Sequence, residues 1–207
     1  MIRVALEALL ESPEEMEKLS RLLSGGAVFA IPTDTFYGLA AHPANEAGVS
    51  KVFAAKGRDD GKPLPVVAGY VEQIESLGIS AAPALSRLSQ LWPAPLTAVL
   101  PLREPIAASR GLRSLAVRIP ADERLRGLLA ETGPLTATSA NRSGHPPAVD
   151  PATVVDELSG WIDVLVDGGA CPGGMPSTIV DFTQDPPRLL REGAFPWPSG
   201  APPGGRW

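Results

Sequence analysis

A mixed α/β fold, a twisted open sheet with flanking helices, is what this sequence predicts, on three observations. Short apolar runs of strand length alternate with stretches of helical period along one chain. A capping signal opens the first helical stretch, and prolines and glycines are spread through the loops between elements. With 207 residues and 44% hydrophobic content, the chain suffices for one well-packed domain and not for two.

The elements follow in order. Ser12-Pro13-Glu14-Glu15 begins a helix, with a serine N-cap, proline at the first helical position and glutamate at N3. Met16, Leu19, Leu22 and Leu23 then share one face, and Gly25-Gly26 ends the helix. Ala27 to Ile31 reads as a buried strand. Glu46 to Lys56 is helical, with Val49, Val52 and Phe53 on one side, and Leu64 to Ala68 is a strand. Pro83 to Trp92 is a helix. Leu96 to Leu100 and Leu115 to Ile119 are strands, separated by an arginine-bearing loop. Asp122 to Glu131 is a helix, Leu135 to Thr138 a strand, Pro151 to Leu158 a helix. Val164 to Val166, Thr178 to Phe182 and Arg188 to Leu190 complete the strands. Near the C-terminus the order is not strictly βαβ, so the sheet is expected to be mixed. Residues 1–194 form the domain. Residues 195–207, rich in proline and glycine, read as an extended tail whose removal after Ala194 is expected to change nothing.

Composition excludes several classes. Eighteen basic against twenty-three acidic residues give a net charge of −5, so nucleic acid could be held only by a local basic patch. The single cysteine, Cys171, rules out an intramolecular disulfide and fits a reducing compartment, more simply as a packed residue than as a nucleophile. The absence of a long apolar run or a secretory leader leads to the expectation of a cytoplasmic protein without a membrane span.

The densest chemistry lies at Thr138-Ser139-Ala140-Asn141-Arg142-Ser143-Gly144, where an apolar strand ends and Pro146-Pro147 prevents immediate continuation. Hydroxyls, a carboxamide and backbone N–H groups crowded at a strand end suit phosphate oxygens. A polar loop that merely caps the next element explains the spacing equally well. A second segment, Pro32-Thr33-Asp34-Thr35-Phe36-Tyr37-Gly38-Leu39, follows another apolar strand. Two of the four lysines, Lys56 and Lys62, flank Arg58 in Lys56-Gly57-Arg58-Asp59-Asp60-Gly61-Lys62-Pro63-Leu64. Then come Val117-Arg118-Ile119-Pro120, Ser177-Thr178-Ile179-Val180-Asp181 and Arg191-Glu192-Gly193. Arg118 interrupts an apolar strand, where an arginine is costly unless it is paired or faces a cleft.

These six motifs, in this order from Pro32 to Gly193, resemble the YrdC-like family of threonylcarbamoyl-AMP synthases, in its short single-domain form. The resemblance implies an open sheet with a concave cationic cleft. It also implies a nucleotidyltransferase reaction: L-threonine, bicarbonate and ATP give threonylcarbamoyl-AMP and pyrophosphate, for threonylcarbamoyladenosine modification of tRNA by a downstream enzyme complex. A carbamate attacking the α-phosphorus needs no protein nucleophile, only placement and charge stabilisation. Carried over residue by residue, the resemblance makes Thr35, Val67, Arg118 and Ser177 threonine contacts. Lys56, Arg58, Lys62, Ser114, Ser139, Asn141 and Arg191 face ATP, with Lys56 and Arg58 closest to the chemistry. Mg2+ is expected on the triphosphate, with no dedicated protein metal site.

Two departures from the family pattern stand out. Asp59 replaces a usual proline, and Ala94 replaces a glycine in Pro93-Ala94-Pro95-Leu96-Thr97. A rival reading is a double-stranded RNA module that binds RNA or tRNA weakly through the same basic cleft. It lacks a basic surplus and an aromatic platform. A serine hydrolase built on Ser139 lacks both G-x-S-x-G and a partnered histidine.

Overall fold

The computed structural model describes residues 1–57 and 62–198. In chain order these form β1 (Ile2–Ala5), α1 (Leu6–Glu11), α2 (Pro13–Ser24), β2 (Phe29–Ile31), β3 (Gly38–Ala40), α3 (Glu46–Lys56), β4 (Val66–Val67), α4 (Val71–Ser76), α5 (Ala82–Leu88) and β5 (Leu96–Pro101). A 3-10 turn at Ala107–Ser109 precedes β6 (Ser114–Arg118). Then follow α6 (Glu123–Thr132), β7 (Leu135–Thr136), β8 (Thr138–Ser139), α7 (Pro151–Leu158), β9 (Val164–Asp167), β10 (Thr178–Asp181) and β11 (Arg188–Arg191).

The helix starts obey their caps. Ser12 Oγ accepts from Glu15 N, Asn45 Oδ1 from Gly48 N, Asp122 Oδ1 from Leu125 N and Asp150 Oδ1 from Thr153 N. α3 stops at Gly57, whose φ of 64° is the left-handed geometry that glycine adopts without strain.

The mixed α/β architecture is as expected, but its strands fall into two sheets rather than one. The first runs β1-β9-β2-β3-β8 and the second β11-β10-β5-β6-β4-β7, each with parallel and antiparallel pairs. The run expected as one strand at 135–138 passes from one sheet to the other. Leu135 and Thr136 pair with β4, whereas Thr138 and Ser139 pair with β3. Between them Ala137 N–H bonds to the carbonyl of Pro65, so the two sheets meet at this residue.

Alternation sorts the strand residues. Phe29 and Ile31 of β2 and Val164 and Val166 of β9 pack against Leu6, Leu9, Met16, Leu19, Leu125 and Leu128 from α1, α2 and α6. Ala30 and Leu165 turn the other way, into a larger core shared with the second sheet. In β6, Leu115 and Val117 enter that core. The alternate residues, Ser114, Ala116 and Arg118, face the opposite side. Arg118 therefore does not break the strand: it occupies the outward position of a two-residue repeat.

Several elements were not legible from pattern. β1 and α1 share one mostly apolar stretch, Ile2–Leu10, interrupted only by Arg3 and Glu7. β3 lies inside the Thr-Asp-Thr motif region, and α4 has only six residues. Residues 195–198 are not a loose extension. Phe195 N–H donates to Thr178 Oγ1, which in turn donates to the Phe195 carbonyl, and Trp197 meets Phe182 edge to face at 5.8 Å. Residues 199–207, including Trp207, lie outside the described residues, as do Arg58, Asp59 and Asp60. The only described non-glycine residue with positive φ is Arg110, so Ala94 stands where no glycine-only angle is needed. Its N–H bonds to the Ile119 carbonyl.

Candidate active site

A cavity of about 660 Å³ opens where the two sheets meet. Thr35, Tyr37, Gly38 and Ser139 line it from the first sheet and its loops. Lys62, Val67, Thr97, Arg118, Ser177 and Arg191 line it from the second. Seven residues that the sequence singles out thus share one cleft: Thr35, Lys62, Val67, Arg118, Ser139, Ser177 and Arg191.

The Thr-Asp-Thr turn is fixed by Thr33, which is buried. Its Oγ1 donates to the Phe36 carbonyl at 2.6 Å and accepts from the N–H groups of Thr35 and Phe36. Tyr37 pins the next loop. Its hydroxyl donates to the Gly169 carbonyl at 2.7 Å and accepts from Gly168 N, and burial raises its pKa to about 12. It is a structural phenol at neutral pH.

Across the cleft, Thr97 and Ser177 hydroxyls lie 2.8 Å apart. Arg191 grips the Ser177 carbonyl through Nε at 3.1 Å and Nη2 at 2.8 Å. Partial burial and then the positive charge of Arg118 pull the Arg191 pKa below the ordinary arginine value. Two guanidinium groups therefore feel each other in this cleft. Arg118 is counterbalanced by Asp34: its Nη1 donates to both carboxylate oxygens, at 2.8 and 2.9 Å. Asp34 is the residue that reading the sequence missed. It stands in a motif quoted in full, but its partner is 84 residues away, and nothing local signals the pair.

Lys56 and Asn141 are close to the cleft without lining it. Both are buried, and they brace Ser139. Lys56 Nζ donates to the Ser139 carbonyl at 2.7 Å and to Asn141 Oδ1 at 3.0 Å. Ser139 Oγ donates to Asn141 Oδ1 at 2.6 Å, and Asn141 Nδ2 donates to the carbonyls of Arg142 and His145. The Ser139–Gly144 loop is thereby clamped to the end of α3, where Ser143 N–H also meets the Lys56 carbonyl. Ser114 sits two residues beyond Ala116 on the cleft face of β6, past the cavity lining. Arg58 lies outside the described residues.

The hydrolase reading finds no support in this geometry. Ser139 Oγ bonds to Asn141, whereas His145 pairs with Glu157 at 3.3 Å and His42 accepts from Ala44 N. Burial pushes the Cys171 thiol up, away from thiolate character.

The family model Sua5/YciO/YrdC, described as telomere recombination, matches residues 21–193. This chain belongs to the Sua5/YciO/YrdC family. It is 39% identical over 175 residues to the threonylcarbamoyl-AMP synthase of Pyrococcus abyssi, covering 83% of this chain and 52% of that protein. It is 35% identical over 194 residues to the threonylcarbamoyl-AMP synthase of Bacillus subtilis, covering 91% and 56%. The chain thus spans about half the length of these family members. Among solved structures, P. abyssi Sua5 complexed with L-threonine superposes with a TM-score of 0.80 at 34% identity, over 93% of this chain and 56% of that one. E. coli YciO shares the fold, with a TM-score of 0.74 at 20% identity over 93% of each chain.

Proposed function

We propose that this chain synthesises threonylcarbamoyl-AMP from L-threonine, bicarbonate and ATP, releasing pyrophosphate, and that the product passes to a tRNA-modifying complex. The observation that carries this reading is the meeting of residues from all six motif regions in or against one cleft, in a chain with threonylcarbamoyl-AMP synthases among its relatives. The L-threonine in the related Pyrococcus structure supports an amino-acid site in the same fold.

In this reading Thr35, Val67, Arg118 and Ser177 receive threonine. The Arg118 guanidinium takes the substrate carboxylate through paired N–H groups. Lys62, Ser139 and Arg191 face the triphosphate directly. Lys56 and Asn141 hold Ser139 in place, Arg58 is assigned to ATP on its motif alone, and Ser114 lies toward the far end of the nucleotide. Cations and fixed donors on both walls stabilise the charge that builds on the α-phosphoryl group and on the departing pyrophosphate. Mg2+ arrives with ATP and is held by phosphate oxygens and water. Among the described residues no helix is long and apolar enough to cross a membrane, which is compatible with work on tRNA in the cytoplasm.

The test is pyrophosphate release, with threonine, bicarbonate and ATP each omitted in turn and no RNA present. Release that needs all three supports the synthase. Equal release without threonine would make the chain an ATP pyrophosphatase and overturn the reading.

A further inference from the structure

We propose that Asp34 is a positioning residue for the amino-acid substrate: it holds the Arg118 guanidinium by one nitrogen and turns the opposite edge of the fork toward the substrate carboxylate. The inference rests on the threonine site proposed above and adds a residue to it.

Three observations carry it. First, both oxygens of Asp34 meet the same nitrogen, Nη1, and the two side chains are only 10% and 14% exposed. That arrangement leaves the Nε–Nη2 edge, the one with two parallel N–H vectors, without a protein acceptor among the described residues. Second, no buried side-chain nitrogen or oxygen among the described residues lacks a partner. The Nε and Nη2 atoms are therefore not sealed in protein, and Arg118 lines the cavity. A carboxylate there would find a planar, two-pronged donor. Third, Asp34 is itself well held. It rides on the turn locked by the Thr33 hydroxyl, and Thr35, next in sequence, lines the same cavity.

Asp34 also answers an electrostatic need. Arg191 stands close enough for the Arg118 charge to act on it. Without the Asp34 carboxylate the two guanidinium groups would repel, and Arg118 would turn away from Arg191 and from the substrate position. Asp34 acts through Arg118 and is not required to touch the substrate.

The experiment is calorimetric titration of the parent chain, Asp34→Asn and Asp34→Glu with L-threonine, with L-threoninamide (which keeps the amine and lacks the carboxylate) and with MgATP. For Asp34→Asn the threonine Kd is expected to rise at least tenfold. The preference for threonine over threoninamide should collapse, while the MgATP Kd stays within about twofold. Asp34→Glu, which restores the charge on a longer arm, should recover part of the threonine affinity. An Asn variant that binds threonine like the parent would overturn the inference alone. So would tighter binding, which would make Asp34 a competitor of the substrate. Parallel loss of threonine, threoninamide and MgATP in both variants, with a large fall in melting temperature, would make the ion pair purely structural. A parent chain that binds no threonine would overturn the functional reading itself, and this inference with it.

Discussion

Replacing Lys56 by methionine keeps most of the buried stem and removes only the ammonium. In the intact chain that ammonium, on a residue 4% exposed, donates to the Ser139 carbonyl at 2.7 Å, to Asn141 Oδ1 at 3.0 Å and to Ser139 Oγ at 3.3 Å. The last contact is long. Asn141 Oδ1 keeps the Ser139 hydroxyl as a donor at 2.6 Å. The Ser139 carbonyl loses its charged donor and keeps the Asn141 N–H at 3.0 Å. Removing a charge-assisted donor of this kind costs about 1.5–3 kcal/mol. Relief of the buried ammonium's desolvation offsets part of this, for a net destabilisation of about 1–2 kcal/mol. At about 2–4 °C per kcal/mol for a chain of this size, the melting midpoint should fall by roughly 2–8 °C. Because Ser139 lines the cleft, MgATP binding should weaken about tenfold, and threonine binding should change less. Thermal melts and calorimetry of the same preparation read both effects. A midpoint within 1 °C of the parent together with unchanged nucleotide affinity would refute the claim that Lys56 organises the loop.

Other perturbations follow from the same geometry. Arg118→Lys keeps the charge and loses the fork, so threonine affinity should fall by one to two orders of magnitude, about 1.4–2.8 kcal/mol, with MgATP affinity near the parent's in calorimetry. Gly193→Ala would drive a Cβ into the Pro176 carbonyl oxygen and place it 2.5 Å from the Thr178 nitrogen. Backbone must shift there, so about 1–3 kcal/mol of stability should be lost, along with Arg191 and Ser177 function, as read by melts and turnover. Truncation after Ala194 removes the Phe195–Thr178 bonds and the Trp197–Phe182 contact. It should cost about 1–3 kcal/mol in denaturant titration, where a detached tail would cost nothing. Lys62→Ala and Arg58→Ala should each weaken MgATP binding by roughly 1.5–3 kcal/mol and leave threonine binding nearly unchanged in the same calorimetry.

The legible parts of the molecule are those governed by neighbours in sequence. The Ser12 cap and the apolar face of α2 announce their helix, and the Glu46–Lys56 and Pro151–Leu158 boundaries agree with the structure. Alternation makes Arg118 conspicuous in β6. What stayed hidden depends on distant partners. The switch of sheets at Ala137 is decided by pairing with Pro65, and β3 forms only because β2 and β8 flank it. The packing of Phe195 and Trp197 needs Thr178 and Phe182, so proline-rich composition alone pointed to a free tail. The motifs located the cleft because their residues sit at strand ends, but they did not disclose that Asp34 pairs with Arg118 or that Lys56 braces Ser139.

The bicarbonate carbon can be followed through the reaction. The chain is incubated with ATP, L-threonine and 13C-bicarbonate, and the nucleotide product is examined at once by mass spectrometry. The expected product contains AMP and threonine joined through one labelled carbon, formed in step with pyrophosphate. Threonyl-adenylate without the label, or AMP and pyrophosphate with no threonine-containing nucleotide at any time, would contradict the synthase reading.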